Sequence, residues 1–371
     1  MFKVALFGAG KIGAAMTSLF GSSGRYQIKV CDSDLGRAKQ VAAGWSCAEA
    51  VALNLSDKSG AEKILAGCDA VLSALPYYCN VDVAQLAAKA GVHYFDLTED
   101  VATTKAVSEI ASTGKVFMMP QCGLAPGFIS IAAAHLFNSF DKVDTVKMRV
   151  GALPIFPSNL LKYNLTWSTD GLINEYGNMC ELVEDGVLKQ AFPLEGYERF
   201  SLDGCEYEAF NTSGGLGTLC ETLKGRVRCL DYKTARYPGH RDLVAFLMND
   251  LRFNEDRETL KRVFERSIPA TAQDKCIIFV EARGWVGERF VQKTYASTIY
   301  NTTVGKEHLS AIQLTTASGI CAPVDMVLTG KLKVERGFVR CEQISLTDFL
   351  DNEFGRYYRD EKALSGISAA K

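Results

Sequence analysis

Gly8, Gly10 and Gly13, in the order G-x-G-x-x-G, open a chain of 371 residues and are the first whose types and spacing can do chemistry. Glycines in such a loop let backbone N–H groups close on a phosphate, and a helix that starts there turns its unpaired N–H groups toward the same charge. Gly8 suits the tight turn, Gly10 the approach of backbone to a pyrophosphate, and Gly13 the close packing of helix on strand. Ala9, Lys11 and Ile12 complete the loop. An acid belongs about 20 residues further on, where its carboxylate accepts hydrogen bonds from ribose hydroxyls. Asp32 stands there, closing the apolar run Tyr26–Val30 and Cys31. These residues predict a nicotinamide dinucleotide site. A carboxylate at that place repels a 2′-phosphate, so NAD is expected, with NADP as the alternative because Arg37 lies close by.

The elements that must position these groups follow from pattern. Lys3–Phe7 reads as a strand and Ala14 onward as a helix; Leu35–Ala43 reads as a helix and Ala50–Leu55 as a strand. A helix over 61–66 and a strand from Asp69 to Leu75 follow, and the strand stops at Pro76. Ligands of doubly wound sheets bind beyond the carboxyl ends of strands, so Ser73, Ala74, Leu75 and Pro76 are expected to line the nicotinamide half. Helices over 81–90 and 102–111 alternate with strands at 93–99 and 115–119, up to the Pro- and Gly-rich turn at 120–127. After a helix at 129–137, period-2 alternation at 145–150, 207–210, 276–282 and 292–300 predicts a mostly antiparallel sheet. Lys306–Leu328 reads as a long helix containing Pro323, followed by helical structure around 347–358. The fold class expected is α/β: a Rossmann domain (1–124), an inserted α+β substrate domain (125–302) and a C-terminal segment returning to the Rossmann domain (303–371). Pairing of such sheets across a two-fold axis makes a homodimer the expected assembly.

Composition narrows the function classes. With 47% hydrophobic and 23% charged residues and a net charge of −2, nothing points to nucleic acid or an anionic membrane as partner. The N-terminus enters a strand at once, which speaks against a signal peptide, and no uninterrupted apolar run reaches bilayer length. Twelve scattered cysteines without a C-x-x-C, and four histidines without ligand spacing, argue against a metal site. Buried free thiols in a reducing compartment, and hence a cytoplasmic location, are expected.

Three stretches of the second domain are too specific for packing alone. They are Gly151–Pro154 with Tyr163–Ser168 and Gly171–Tyr176; Glu208–Leu216 (EAFNTSGGL); and Tyr232–His240 (YKTARYPGH). With the N-terminal GAGKIG and the turn Cys122–Gly127, they resemble the saccharopine dehydrogenase family over nearly the whole chain, its glutamate-forming saccharopine dehydrogenases and lysine 6-dehydrogenases most of all. The resemblance implies oxidation of a C–N bond at the ε-carbon of saccharopine or lysine by NAD or NADP. The product is 2-aminoadipate 6-semialdehyde, released with glutamate or ammonia respectively.

An amino-acid substrate presents a carboxylate, which a planar guanidinium binds in bidentate fashion. Arg236 is the first choice for that role; Asn211, Thr212 and Ser213, with Trp167 and Ser168, are further substrate-binding candidates. Saccharopine carries three carboxylates, so a second arginine is expected, with Arg149, Arg226 and Arg228 available. A base must free the nitrogen lone pair before hydride leaves, and the imine then needs an activated water. Asp96, Cys122, Lys233 and His240 are the candidates. Saccharopine cleavage leads, lysine 6-deamination follows, and a non-catalytic NAD-binding sensor is the rival from another class.

Overall fold

The computed structural model describes residues 1–359, so residues 360–371 of the expected C-terminal segment lie outside the described residues. The chain divides into two compact units. Unit 1 comprises Met1–Ile131, Thr303–Leu309 and Gln313–Tyr357; unit 2 is built on Ala132–Thr302 with Ser310–Ile312. Unit 1 therefore runs past the expected boundary at 124, into the helix that follows the 120–127 turn.

Unit 1 holds a seven-stranded sheet. Its first six strands are β1 (Phe2–Phe7), β2 (Tyr26–Asp32), β3 (Ala48–Ala52), β4 (Ala70–Ser73), β5 (His93–Asp96) and β6 (Phe117–Met119). The helices between them are α1 (Lys11–Ser23), α2 (Leu35–Ala42), α3 (Lys58–Leu65), α4 (Asn80–Ala90) and α5 (Val101–Ile110). All pairings are parallel and the order is β3-β2-β1-β4-β5-β6, extended at the far edge by Gly337–Phe338. This is the dinucleotide-binding order, with its reversal between β1 and β4. Phe7, Val71, Tyr94 and Met118 project from one face into a cluster with Ala61, Leu65, Val83 and Val107 of the helices. Burial on both faces explains why these strands read as continuous apolar runs.

After α6 (Phe128–Phe137), unit 2 builds an eight-stranded sheet. Its strands are β7 (Lys142–Pro154), β8 (Cys180–Glu184), β9 (Val187–Ala191), β10 (Glu198–Leu202), β11 (Cys205–Asn211), β12 (Cys229–Arg236), β13 (Asp274–Val286) and β14 (Arg289–Tyr300). The path is β10-β11-β12-β7-β13-β14, with β8 and β9 beside β12. The β12–β7 pair is parallel and the others antiparallel, so the sheet is mixed rather than purely antiparallel. Helices α7 (Thr169–Gly177), α8 (Leu219–Leu223), α9 (His240–Ala245) and α10 (Arg257–Ser267) complete the unit. Leu172, Ile173 and Tyr176 of α7 pack with Val244, Leu260, Phe264, Tyr163 and Phe210 in one apolar core.

One reading of the C-terminal part needs correction. Residues 306–309 are not helical: Glu307–Leu309 is a strand paired with Thr302–Val304, and helix α11 (Ala311–Leu328) begins only after it. The carboxylate of Asp274 accepts hydrogen bonds from the Ala311 and Ile312 N–H groups at 2.6 and 3.1 Å, which fixes that start. At 18 residues α11 is long enough and, by mean hydropathy, apolar enough to cross a bilayer, but Gln313, Thr315, Thr316 and Asp325 interrupt its apolar run and most of it is buried inside the fold.

Candidate active site

The dinucleotide half of the site is built by β1, the glycine loop and α1. Gly8 has φ +106°, and a Cβ there would lie 2.7 Å from the Ala74 carbonyl oxygen. A Cβ on Gly13 would lie 2.0 Å from the Gly8 carbonyl oxygen, so only glycine lets α1 sit on the turn. Around Gly10 nothing lies within 4 Å of that position, and Gly10 is the N-cap of a 13-residue helix with no side-chain cap. Uncapped N–H groups beside open space fit a pyrophosphate. Asp32 accepts hydrogen bonds from the Ala9 N–H (2.8 Å) and the Asp34 N–H (2.9 Å). Burial alone would raise this carboxyl, but the Asp34 and Ala9 donors, with Arg37 nearby, hold it below its ordinary value. The carboxylate is thus ionised at neutral pH and locks the loop through the Ala9 N–H.

Further along the sheet the candidates diverge. The Ser73 hydroxyl donates to Asn80 Oδ1 at 2.7 Å and is buried, so it ties β4 to α4 rather than standing ready for a cofactor. Ala74 is held by its N–H to the Phe7 carbonyl (2.8 Å), Leu75 packs against the core and Pro76 is exposed. Tyr77 and Tyr78 follow, 50% and 71% exposed. The sequence reading passed over them, although an aromatic pair directly after a strand-ending proline was the available signal.

Asp96 is fully buried at the end of β5. Its Oδ2 accepts from the Tyr94 hydroxyl (2.6 Å) and its Oδ1 from the N–H groups of Thr98 (2.8 Å) and Gln121 (3.0 Å). Burial outweighs these donors and raises the carboxyl to about 6. Asp96 thus ties the end of β5 to the residues that follow β6. Cys122 is different: burial, reinforced by neighbouring Cys341, pushes its thiol well above the ordinary range, and the Sγ donates to the Met119 carbonyl at 3.2 Å. That shift disfavours the thiolate a base would need.

In unit 2 the structure gathers Arg236, His240, Thr212 and Ser213 around α7. Arg236 is buried, with its guanidinium 5.1 Å from the Tyr163 ring centroid and 5.7 Å from that of Tyr176. Its Nε donates to the Tyr176 hydroxyl (2.9 Å), its Nη1 to the Ala235 carbonyl (3.0 Å), and its Nη2 lies 3.7 Å from Glu175 Oε2. His240 Nδ1 faces the Leu161 carbonyl (2.8 Å) and Nε2 the Tyr176 hydroxyl (2.9 Å). A carbonyl can only accept, so Nδ1 carries the proton and Nε2 accepts from Tyr176. Burial, and then the Arg236 charge, push the imidazole down to about 3. His240, expected among the bases, has both nitrogens engaged and is an anchor for Tyr176. Glu208 sets the turn before it, accepting the N–H groups of Gly239 (2.7 Å) and Arg241 (2.6 Å).

Lys233 and Asn211 belong elsewhere. They pair in register with each other, and Lys233 with Arg149, on the sheet face opposite Arg236, as strand alternation requires. Lys233 Nζ donates to Glu198 Oε2 at 3.1 Å, and Asn211 Nδ2 reaches the Phe192 carbonyl at 3.4 Å. Lys233, expected among the bases, is thus paired with Glu198 on the face opposite Arg236. Ser168 caps α7 through the Gly171 N–H (3.2 Å), while Trp167 donates to the Tyr163 hydroxyl (3.1 Å) and packs where a Gly171 side chain would be. The three spare arginines are committed too. Arg149 is buried against Glu198 and Asp231, Arg228 pairs with Asp144 at 2.9 Å, and Arg226 lies 4.6 Å over the Phe137 ring. Among the described residues no cluster of His, Cys, Asp or Glu is set to hold a metal ion.

Comparison with known proteins agrees with this two-part construction. Residues 4–117 match the family model described as "Saccharopine dehydrogenase NADP binding domain", and residues 123–356 match "Saccharopine dehydrogenase C-terminal domain". A saccharopine dehydrogenase [NADP(+), L-glutamate-forming] of Saccharomyces cerevisiae is 24% identical over 200 residues, 50% of this chain and 43% of that protein. An alpha-aminoadipic semialdehyde synthase of Arabidopsis thaliana is 28% identical over 155 residues, 40% of this chain and 15% of that protein. The matched stretches thus span less than half the length of these curated relatives. The apo saccharopine dehydrogenase (L-Glu forming) structure from Saccharomyces cerevisiae superposes with TM-score 0.76 at 17% identity, covering 100% of this chain and 98% of that one, and so shares its fold. With both family models accounting for its two domains, the chain belongs to the saccharopine dehydrogenase family.

Proposed function

We propose that this protein is a nicotinamide-dependent oxidoreductase acting on the CH–NH bond of a lysine-derived amino acid, with saccharopine as the leading substrate. The observation that carries the reading is the uncapped α1 N-terminus beside Gly10, joined in one chain to the buried Arg236 of unit 2. The relatives' names support saccharopine. Hydride leaves the carbon and a proton leaves the nitrogen to give an imine, and water then releases 2-aminoadipate 6-semialdehyde and glutamate. When bound, the nicotinamide supplies the hydride acceptor. The glycine loop and α1 hold the pyrophosphate, Asp32 faces the ribose, and Arg236 binds a substrate carboxylate. Asp96, with a carboxyl near 6, is the candidate that best holds and returns a proton around neutrality.

One observation favours lysine as the second reading. Arg149, Arg226 and Arg228 are all engaged by other groups, so none stands ready for the additional carboxylates of saccharopine. Absorbance at 340 nm with saccharopine or L-lysine separates the two, glutamate or ammonia being the co-product. Dinucleotide binding without turnover of either would leave the sensor reading.

The names of the family model and relatives support NADP, and Arg37 beside Asp32 is the cation available to a 2′-phosphate. Asp32 itself supports NAD. The kcat/KM ratio for the two cofactors decides. A homodimer is the assembly we infer, supported by the exposure of Phe290, Thr294, Ala296 and Tyr300 along one side of β14. A monomeric mass in light scattering at micromolar concentration would overturn it.

A further inference from the structure

Every polar side chain in the turn that leaves β5 has a structural task except one. Asp96 takes the N–H groups of Thr98 and Gln121, and the Thr98 hydroxyl accepts from the Asp100 N–H (3.1 Å). Asp100 in turn caps α5 by accepting from the Thr103 N–H (2.7 Å). Glu99, in the middle of this turn, is half-buried and forms no hydrogen bond or ion pair with any other described residue. Its oxygens keep an open side. Asp96, raised to about 6, is fully enclosed and has no atom open to a ligand.

The place of Glu99 is set by register. Ser73 of β4 stands level with Phe7 of β1 on one side and with Asp96 of β5 on the other. The glycine loop leaves the sheet just past Phe7, and Glu99 lies three residues past Asp96. Both are on the carboxyl rim, where ligands of doubly wound sheets bind. Burial, and then the negative charge of Asp100, raise the Glu99 carboxyl to about 7. An acid at that value can take up a proton at neutral pH and give it back.

We propose that Glu99 is the base that meets the substrate, its carboxylate taking the proton of the reacting ammonium. This rests on the reading that the protein oxidises a lysine-derived amine. The substrate arrives with its nitrogen protonated and without a free lone pair. One N–H bond breaks, the proton goes to a Glu99 oxygen, and the electron pair stays on nitrogen. That pair forms the C=N bond as the neighbouring carbon gives up hydride, with its two electrons, to the oxidised nicotinamide. Glu99, now a neutral acid, passes its proton to water before the next turnover.

Steady-state kinetics paired with calorimetry on the full chain tests this. Glu99→Gln should lower kcat with saccharopine or L-lysine at least roughly a hundredfold, the lower end of what a general base contributes. Its melting temperature should hold, because the side chain has no partner to lose. Glu99→Ala leaves room for a small carboxylate, so formate should raise its kcat at least roughly tenfold. The second readout needs no turnover. With the reduced dinucleotide bound, either amine binds without reacting, and its ammonium draws the acid toward the ionised form and releases part of a proton near pH 7. Titration in two buffers of different ionisation enthalpy measures that release, expected in wild type and absent in Glu99→Gln. Wild-type kcat in Glu99→Gln, or a loss that formate leaves unrepaired in Glu99→Ala, overturns the proposal. A Gln variant that fails to fold contradicts the unpartnered state and overturns it as well. Proton release that depends on Glu99 while neither amine is oxidised sinks the proposed activity and leaves Glu99 facing the nitrogen. Amine oxidation unaltered by Glu99→Gln sinks the base alone, and a wild type showing neither turnover nor release sinks both.

Discussion

Arg236, His240 and Asp96 show how burial reassigns side chains whose chemistry looks obvious in isolation. Replacing Arg236 by Ala would remove the cation paired with Glu175 and the donor to the Tyr176 hydroxyl, and breaking such a buried pair costs about 3–5 kcal/mol. We expect Arg236→Ala to lower thermal stability, and Arg236→Lys to raise KM at least roughly tenfold with a smaller loss, because the ammonium lacks the planar fork. Unchanged KM in the Lys variant, read beside its melting curve, would take Arg236 out of substrate binding. His240 makes a prediction in pH. Its folded value of about 3 lies below the ordinary 6.5, so the unfolded chain binds the extra proton between those values. Stability is fully present above about 6.5 and falls as pH drops toward 3, by up to about 1.4 kcal/mol per unit. Against wild type, His240→Gln should flatten the fall in melting temperature over that window; parallel curves would refute it. Asp96 acts in the opposite sense. Raised to about 6, it favours the folded protein at low pH and loses that contribution as pH rises from about 4 to 6.

Among the elements, α11 carries one acid, Asp325, into a buried position. Its carboxylate accepts from the Tyr26 hydroxyl (2.5 Å) and Asn352 Nδ2 (2.7 Å) and pairs with Arg25 at 2.9 Å. This anchors the start of β2, the C-terminal stretch and α11 to one another inside unit 1. Asp325→Ala should cost about 3–5 kcal/mol, and Tyr26→Phe, which removes one donor, about 1 kcal/mol. Urea unfolding monitored by circular dichroism measures both, and equal losses would contradict a network centred on the acid. The same element shows where periodicity misleads. Lys306–Leu309 (KEHL) carries nothing in sequence that bars a helix leading into α11, but a helix needs its first N–H groups satisfied, and Asp274 does this only from Ala311 on.

Across the chain, what was legible in sequence was local. The glycine loop and Asp32 fall within a single strand–helix–strand unit, and their spacing alone dictates the turn, the uncapped helix and the acid. The parallel strands betray themselves by unbroken apolar runs, since both faces are covered. The partners of His240 were not legible: Tyr176 and Leu161 lie 64 and 79 residues away, and nothing in RYPGH points to them. Lys233 was legible in principle. Once Cys229–Arg236 is taken as a strand, residues three apart fall on opposite faces, and a motif read as one unit divides into two.

The double attachment of Asp32 constrains any attempt to redesign this enzyme for the other dinucleotide. Its oxygens hold the Ala9 and Asp34 N–H groups, so the residue we propose to face the ribose also ties down the glycine loop. Asp32→Ala should raise the preference for NADP over NAD by roughly tenfold, while weakening both cofactors together. Steady-state kinetics with each dinucleotide would show an unchanged ratio if Asp32 does not face the ribose. Selectivity and grip are mechanically geared, and a successful swap will need a second substitution that returns an acceptor to Ala9.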